Sequence, residues 1–282
     1  MDPTPWVLAV LGVVLAGPVP AMLARARWLR RTPLATMLLW QGVALAAVLS
    51  ALGAGLSLAT SQGWSTPAAL ALAVTAVVAV RLGLSGHRVG TSLRSLRRHH
   101  REQLDLVTHR RGRLAVLETE QPLAYCVPSL KSSRVVVSQG ALGRLAPDEL
   151  DAVLAHERAH LRARHDLVLE AFSVLHRAFP RWVSSASALR EVRMLVEVLA
   201  DRVAARDAGA HALGRALVGL AGAPAPTAGL AVSGPAGELV DRIDLLRAAP
   251  RPAQAVVVAL AAAGVVVLPT AFVVAPWLAG LT

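Results

Sequence analysis

Cysteine is nearly absent from this chain. The 282 residues include one, Cys126, which excludes an intramolecular disulfide and fits a reducing compartment. Lysine is as scarce: Lys131 stands alone, and arginine carries almost all of a formal net charge of +11. Aromatic residues make up 4% and charged residues 17%, against 55% hydrophobic. That balance excludes one ordinary soluble domain of this length. No internal repeat is present.

The apolar excess lies at the two ends. A bilayer crossing needs about 20 mostly apolar residues, and four segments reach it: 5–23, 33–60, 66–86 and 252–281. The first is a poor secretory leader, since Asp2 precedes it and no basic residue does. Arg81, inside the third, is expected to snorkel to the nearer interface, and Pro269 to kink the fourth.

Arginine placement gives these spans a direction, because cytoplasmic loops near spans are enriched in basic residues. Arg25, Arg27, Arg30 and Arg31 follow span one, while "SQGWS" after span two is uncharged. Arg88, Arg94, Arg97, Arg98 and Arg101 follow span three, and Arg247 and Arg251 precede span four. Every basic cluster falls on one side. The expectation is a multi-pass protein of the cell membrane with both termini outside and residues 87–251 as one cytoplasmic domain. The basic stretch 94–113 has no interleaved aromatic residue to stack on bases, so anionic lipid headgroups are its expected partner rather than nucleic acid.

Within 87–251, the segments 113–119, 123–127 and 133–138 read as short strands. A helical run follows from 147 to 178, with Pro147 at its first turn, Asp148 and Glu149 suiting its dipole, and Pro180 at its end. A further helix spans 187–208 and closes on Gly209. Residues 221–237 form a Pro/Gly-rich loop, and "ELVDRIDLLRAA" returns a short helix to the membrane. The fold class is an α-helical polytopic membrane protein with an inserted α+β domain on the cytoplasmic side.

The segment "LAHERAHLRARHD", 154–166, carries the chemistry. His156 and His160 stand one helical turn apart on one face. Two such imidazoles can hold a single zinc ion, with Glu157 beside them to take a proton from water. A third protein ligand is needed. His165 is nearest, but its spacing suits packing or a hydrogen bond with Asp166. Cys126 is possible, although a single cysteine in a strand more often packs as a small hydrophobe. Glu197 is the best candidate. It lies in the apolar run "MLVEVLAD", where an unpaired carboxylate is costly, and Asp201 repels it from one turn on. A cation on Glu197, with Asp201 accepting the free N–H of His156, removes that conflict.

The stretches "LAYCVP", "SRVVVSQGAL", "LAPDELDAVLAHERAHLRARHDL" and "EVLAD" resemble the BlaR/MecR-type membrane zinc metallopeptidases, metallopeptidase family fifty-six. The wider kinship is with gluzincins of the HtpX and CAAX-prenyl-protease type. The resemblance covers the spans and the domain between them. It implies a zincin-like (gluzincin) domain with His156, His160 and Glu197 as zinc ligands and Glu157 as general base. It also implies a substrate peptide lying along an edge strand, which would be 133–138.

Two departures qualify it. Antibiotic-sensing members carry a penicillin-binding domain after the last span, and no such domain is expected here. HtpX-like relatives place a His-Pro before an Arg-Ile near the domain end; Arg242-Ile243 is present, but no histidine precedes it within reach. Tyr125 and Arg242 are the candidates for transition-state or substrate contacts.

The expectation is therefore a membrane zinc endopeptidase acting on a cytoplasmic protein, with a transcriptional repressor of winged-helix type as the substrate the resemblance suggests. HtpX-like quality control of membrane proteins is the alternative with the same chemistry. A non-catalytic scaffold or metal sensor is the alternative of another class; a homo-oligomer is compatible with each of the three readings. Intact Glu157 speaks against the scaffold or sensor, because a purely structural site needs no base.

Overall fold

A computed structural model describes residues 3–62, 65–111, 114–129, 133–179, 185–221, 230–231 and 236–279. The chain begins with helices α1 (Thr4–Ala16) and α2 (Pro18–Arg25), a short 3-10 turn (Arg27–Arg31), α3 (Pro33–Gln62) and α4 (Thr66–Val107). Four strands follow: β1 (Thr108–Arg111), β2 (Leu114–Leu117), β3 (Ala124–Val127) and β4 (Arg134–Ser138). Then come α5 (Gln139–Arg144), α6 (Pro147–Arg162), α7 (His165–Ala178), α8 (Ser185–Ala208) and α9 (Ala210–Gly219). The short strand β5 (Leu230–Ala231), α10 (Ala236–Arg247) and α11 (Pro252–Ala279) complete the chain.

Four helical stretches, Thr4–Arg25, Pro33–Ser61, Thr66–Leu106 and Pro252–Val274, are long and apolar enough to cross a membrane. These point to membrane association. The third stretch continues well beyond residue 86, since Arg, Leu, Gln and Glu after Gly90 all favour helix and no proline interrupts them.

The chain divides into two compact units. One comprises Met1–His87, Ala171–Val192 and Pro250–Thr282. In it α1 and α11 both pack along α3, burying Leu15, Leu39, Val43, Ala46, Val258 and Ala262. A Cβ on Gly42 would come within 3.0 Å of the Ala262 carbonyl oxygen; only a glycine lets α3 and α11 approach this closely. Val10, Val13, Leu70, Val74, Val256 and Leu260 are exposed on the outer faces, which suits lipid rather than water. Arg81 does not snorkel. Its Nε donates to the Ala178 carbonyl at 2.8 Å, because the last carbonyls of α7 lack helical partners. Helix α11 continues through Pro269.

The second unit comprises Arg88–Glu170 and Arg193–Ala249. Its sheet has the order β1-β2-β4-β3-β5, with β2 and β4 parallel and the other pairs antiparallel. Strand alternation separates two faces. Ala124, Cys126, Val135 and Val137 face a core shared with Ala152, Val153 and Ala155 of α6 and Leu213 and Leu217 of α9. Tyr125, Val127 and Val136 face the opposite side, with Leu104 of α4. Helix α6 starts as expected at Pro147, where Glu149 accepts the Ala146 N–H at 3.0 Å and so satisfies one otherwise orphaned donor.

Two expectations are corrected here. The segment 133–138 is not an edge: β4 lies inside the sheet, hydrogen-bonded to β2 on one side and β3 on the other. The outer side of β3 pairs instead with β5, placing Cys126 opposite Leu230. The helical run 147–178 is broken into α6 and α7, because Arg164 takes a left-handed backbone conformation (φ 51°) that no α-helix can contain. Gly209, at φ 96°, makes the turn from α8 into α9, and only glycine adopts that value without strain. Pro180 and most of the loop 221–237 lie outside the described residues.

Candidate metal centre

Helix α6 brings two histidine side chains to one buried point, with Glu157 buried beside them in sequence. His156, Glu157 and His160 are each 0% exposed, although a helix of this length would normally keep such residues in water. The apolar face of α6 turns to the sheet, so the adjoining stripe turns to α8. There Glu197 and Asp201, one turn apart, meet the histidines.

His156 Nε2 and His160 Nε2 stand 3.0 Å apart. Glu197 places Oε2 3.5 Å from the first and Oε1 3.6 Å from the second. The ligand atoms of these three residues all lie within 4.8 Å of one another. Two ligands on a tetrahedral zinc at about 2.0–2.1 Å stand roughly 3.4 Å apart, so the spacing suits that ion.

Electrostatics agree with the geometry. Burial lowers the pKa of His156, but the carboxylates of Asp201 and Glu197 outweigh it and hold this imidazole at about 9. Burial dominates at His160, which is pushed down to about 3. Burial thus favours a neutral His160, whose Nε2 faces the same point as the Glu197 carboxylate. One divalent cation satisfies all three donors at once. Two imidazoles and a carboxylate are a donor set of catalytic zinc sites, with a fourth position left for water.

Asp201 and Arg242 support this cluster from behind. His156 Nδ1 lies 2.9 Å from Asp201 Oδ1, a position that favours a proton on Nδ1, so that the neutral ring would present Nε2 to a cation. Arg242, on α10, reaches the other side of Asp201 and also sets Nη1 3.3 Å from Glu197 Oε2. Burial opposes ionisation of Asp201, yet the charge and hydrogen bonds of Arg242 prevail and hold it at about 2. Glu197 is likewise held below the usual range: burial raises it, but the His160, His156 and Arg242 charges and the His156 hydrogen bond lower it further.

The structure therefore brings His156, Glu157, His160, Glu197, Asp201 and Arg242 into one cluster. Tyr125 is not brought there. It sits on the other face of the sheet, 3% exposed, with its hydroxyl 3.0 Å from His100 Nε2. Burial raises its pKa to about 12. Cys126 faces α6, where burial and the neighbouring Glu157 carboxylate push its thiol up. His165 is buried against His160 rather than bonded to Asp166: the two Nδ1 atoms are 3.0 Å apart. Nothing in the local sequence signals that contact, because Ala163-Arg164 reads as helix.

The model of peptidase family M48 matches residues 94–195, a stretch that contains His156, Glu157 and His160 and ends just before Glu197. No solved structure matches the chain. Over that stretch the chain is similar to peptidase family M48, and with the His156–His160–Glu197 cluster the likeness supports a zinc metallopeptidase.

Proposed function

We propose that the protein is an integral-membrane zinc endopeptidase that hydrolyses a peptide bond in a cytoplasmic protein. The observation that carries this reading is the convergence of His156, His160 and Glu197 on one buried point with Glu157 adjoining. The arginine clusters of the loops favour a cytoplasmic position for that point.

Zinc held by His156, His160 and Glu197 would supply a Lewis acid for the scissile carbonyl and lower the pKa of water toward ~7. Glu157 takes the proton from the attacking water and passes it to the leaving amine, so that a good nucleophile and a good leaving group come from one carboxylate. Asp201 holds His156 in the tautomer that presents Nε2. Arg242 keeps Asp201 and Glu197 ionised at a depth where burial favours their neutral forms.

The resemblance to BlaR/MecR-type enzymes favours a winged-helix transcriptional repressor as substrate, which makes the enzyme part of a signalling pathway at the cell membrane. The test is cleavage of casein and of a co-encoded winged-helix regulator by purified protein in detergent with zinc, wild type beside Glu157→Gln. Cleavage of the regulator alone, lost in Glu157→Gln, is the expected result. Cleavage of both at similar rates would favour protein quality control in the HtpX manner. Stoichiometric zinc with no cleavage of either would reduce the protein to a scaffold or metal sensor.

A further inference from the structure

His160 and His165 are five residues apart, which on a continuous α-helix places them about 140° apart around the axis. Their side chains could not then meet. In this fold they do meet: Nδ1 of one lies 3.0 Å from Nδ1 of the other, with the rings edge to face at 83°. Both side chains are buried, His160 at 0% and His165 at 5%. The contact exists because α6 stops at Arg162 and the left-handed Arg164 swings the first residue of α7 back over the last turn of α6.

A non-glycine residue at φ 51° is strained and persists only where its surroundings hold it. They do so here. Arg164 Nε lies 3.2 Å from Asp166 Oδ1, and Asp166 Oδ2 lies 3.3 Å from Arg97 Nη1. Asp166 is itself 2% exposed. The three residues Arg164, His165 and Asp166 thus form a clamped corner whose middle side chain points at a metal-binding histidine.

We infer that His165 is a positioning residue for the metal centre, accepting the Nδ1–H of His160 and so holding the His160 Nε2 lone pair toward His156 and Glu197. The inference depends on the zinc-peptidase reading. If Nε2 of His160 binds a cation, the neutral ring carries its proton on Nδ1. The facing Nδ1 of His165 must then be the acceptor, and its own proton sits on Nε2. His156 is steadied by a carboxylate and His160 by a neutral imidazole, so the two ligands receive different degrees of electron donation from their supports.

The experiment is a zinc titration of the detergent-solubilised full chain against a chromophoric chelator. It compares wild type with His165→Leu, His165→Asn and His165→Gln, each checked for folding by its metal-free thermal transition. Asparagine sets an amide oxygen where Nδ1 stands, glutamine sets its polar atoms where Nε2 stands, and leucine has neither.

Zinc affinity is expected to fall 10–100-fold in His165→Leu and His165→Gln and to stay within about threefold of wild type in His165→Asn. Cobalt-loaded protein should show shifted visible bands in the first two variants and unshifted bands in the third. If His165→Leu does not fold, the comparison of His165→Gln with His165→Asn decides alone. Wild-type affinity and unshifted cobalt bands in folded His165→Gln would overturn the inference and leave His165 a packing residue. A wild-type chain that takes up no zinc would overturn the underlying functional reading, and this inference with it; wild-type zinc uptake separates the two failures.

Discussion

Arg242 grips Asp201 with two prongs, Nε to Oδ2 at 2.7 Å and Nη2 to Oδ1 at 2.7 Å. Both side chains are 2% exposed. The pair joins α10 to α8 directly behind His156, so an arginine 41 positions after Asp201 supports the carboxylate that orients the His156 ring. Breaking a buried pair by removing one partner costs about 3–5 kcal/mol, because the other charge stays buried and uncompensated. Arg242→Leu strands both Asp201 and Glu197, and denaturant unfolding in detergent should show a loss of that order. Arg242→Lys should recover only part of it, since an ammonium cannot make the two-pronged contact. A loss under 1 kcal/mol in Arg242→Leu would mean that Asp201 finds its compensation elsewhere.

Much of this arrangement was legible in the sequence because its signals are local. The four long apolar helices follow from run length, and the pairing of His156 with His160 from one-turn spacing. Glu197 stood out because a carboxylate inside "MLVEVLAD" has no apolar explanation. What could not be read depends on distant partners. Nothing in "SRVVVS" distinguishes an inner strand from an edge, because β4 acquires its two neighbours from segments before it in the chain. The break at Arg164 is invisible because Leu161-Arg162-Ala163-Arg164 favours helix throughout, and the contact between His165 and His160 is hidden with it. The sequence offers Tyr125 and Arg242 on equal terms; strand alternation turns the first away from the site, and helix α10 delivers the second to it.

Glu157→Gln separates binding from catalysis. The substitution keeps size and removes the proton acceptor, and none of the three proposed ligands changes. Zinc stoichiometry, read by elemental analysis, should equal that of wild type. Peptide-bond cleavage should fall by about 10²–10⁴-fold, the contribution usual for a positioned general base. Equal cleavage by the variant would assign the base to another residue.

Tyr125 is the only tyrosine of the chain, so the ultraviolet band of tyrosinate reports this residue alone. Burial raises its pKa to about 12 from an ordinary 10.0. A raised folded-state value means that the folded chain holds the proton more tightly. The associated stability is complete below pH 10 and is lost as pH climbs from there through about 12. An absorbance titration of the folded protein should therefore place the tyrosinate band near pH 12, and the urea-unfolded chain should place it near 10. Tyr125→Phe should flatten the fall in thermal stability across that interval. A folded-state midpoint near 10 would show that the hydroxyl reaches solvent and that the sheet face against α4 is open.

Metal removal tests the donor set itself. A ligand that binds only the folded chain adds RT ln(1 + [L]/Kd) to its stability, about 2.7 kcal/mol at a hundredfold excess over Kd. Without the cation, the Glu197 carboxylate faces His156, His160 and Arg242, and the two imidazole Nε2 atoms face each other at 3.0 Å. A strong chelator should therefore lower the thermal midpoint of wild type, and added zinc should restore it. Glu157→Gln should show the same shift as wild type because its ligands are intact. Glu197→Gln should show little or none, since a neutral amide is a poor ligand for zinc and the carboxylate closes the triangle with the two histidines. A full zinc-dependent shift in Glu197→Gln would move the third ligand elsewhere, and Cys126 would be the next residue to test.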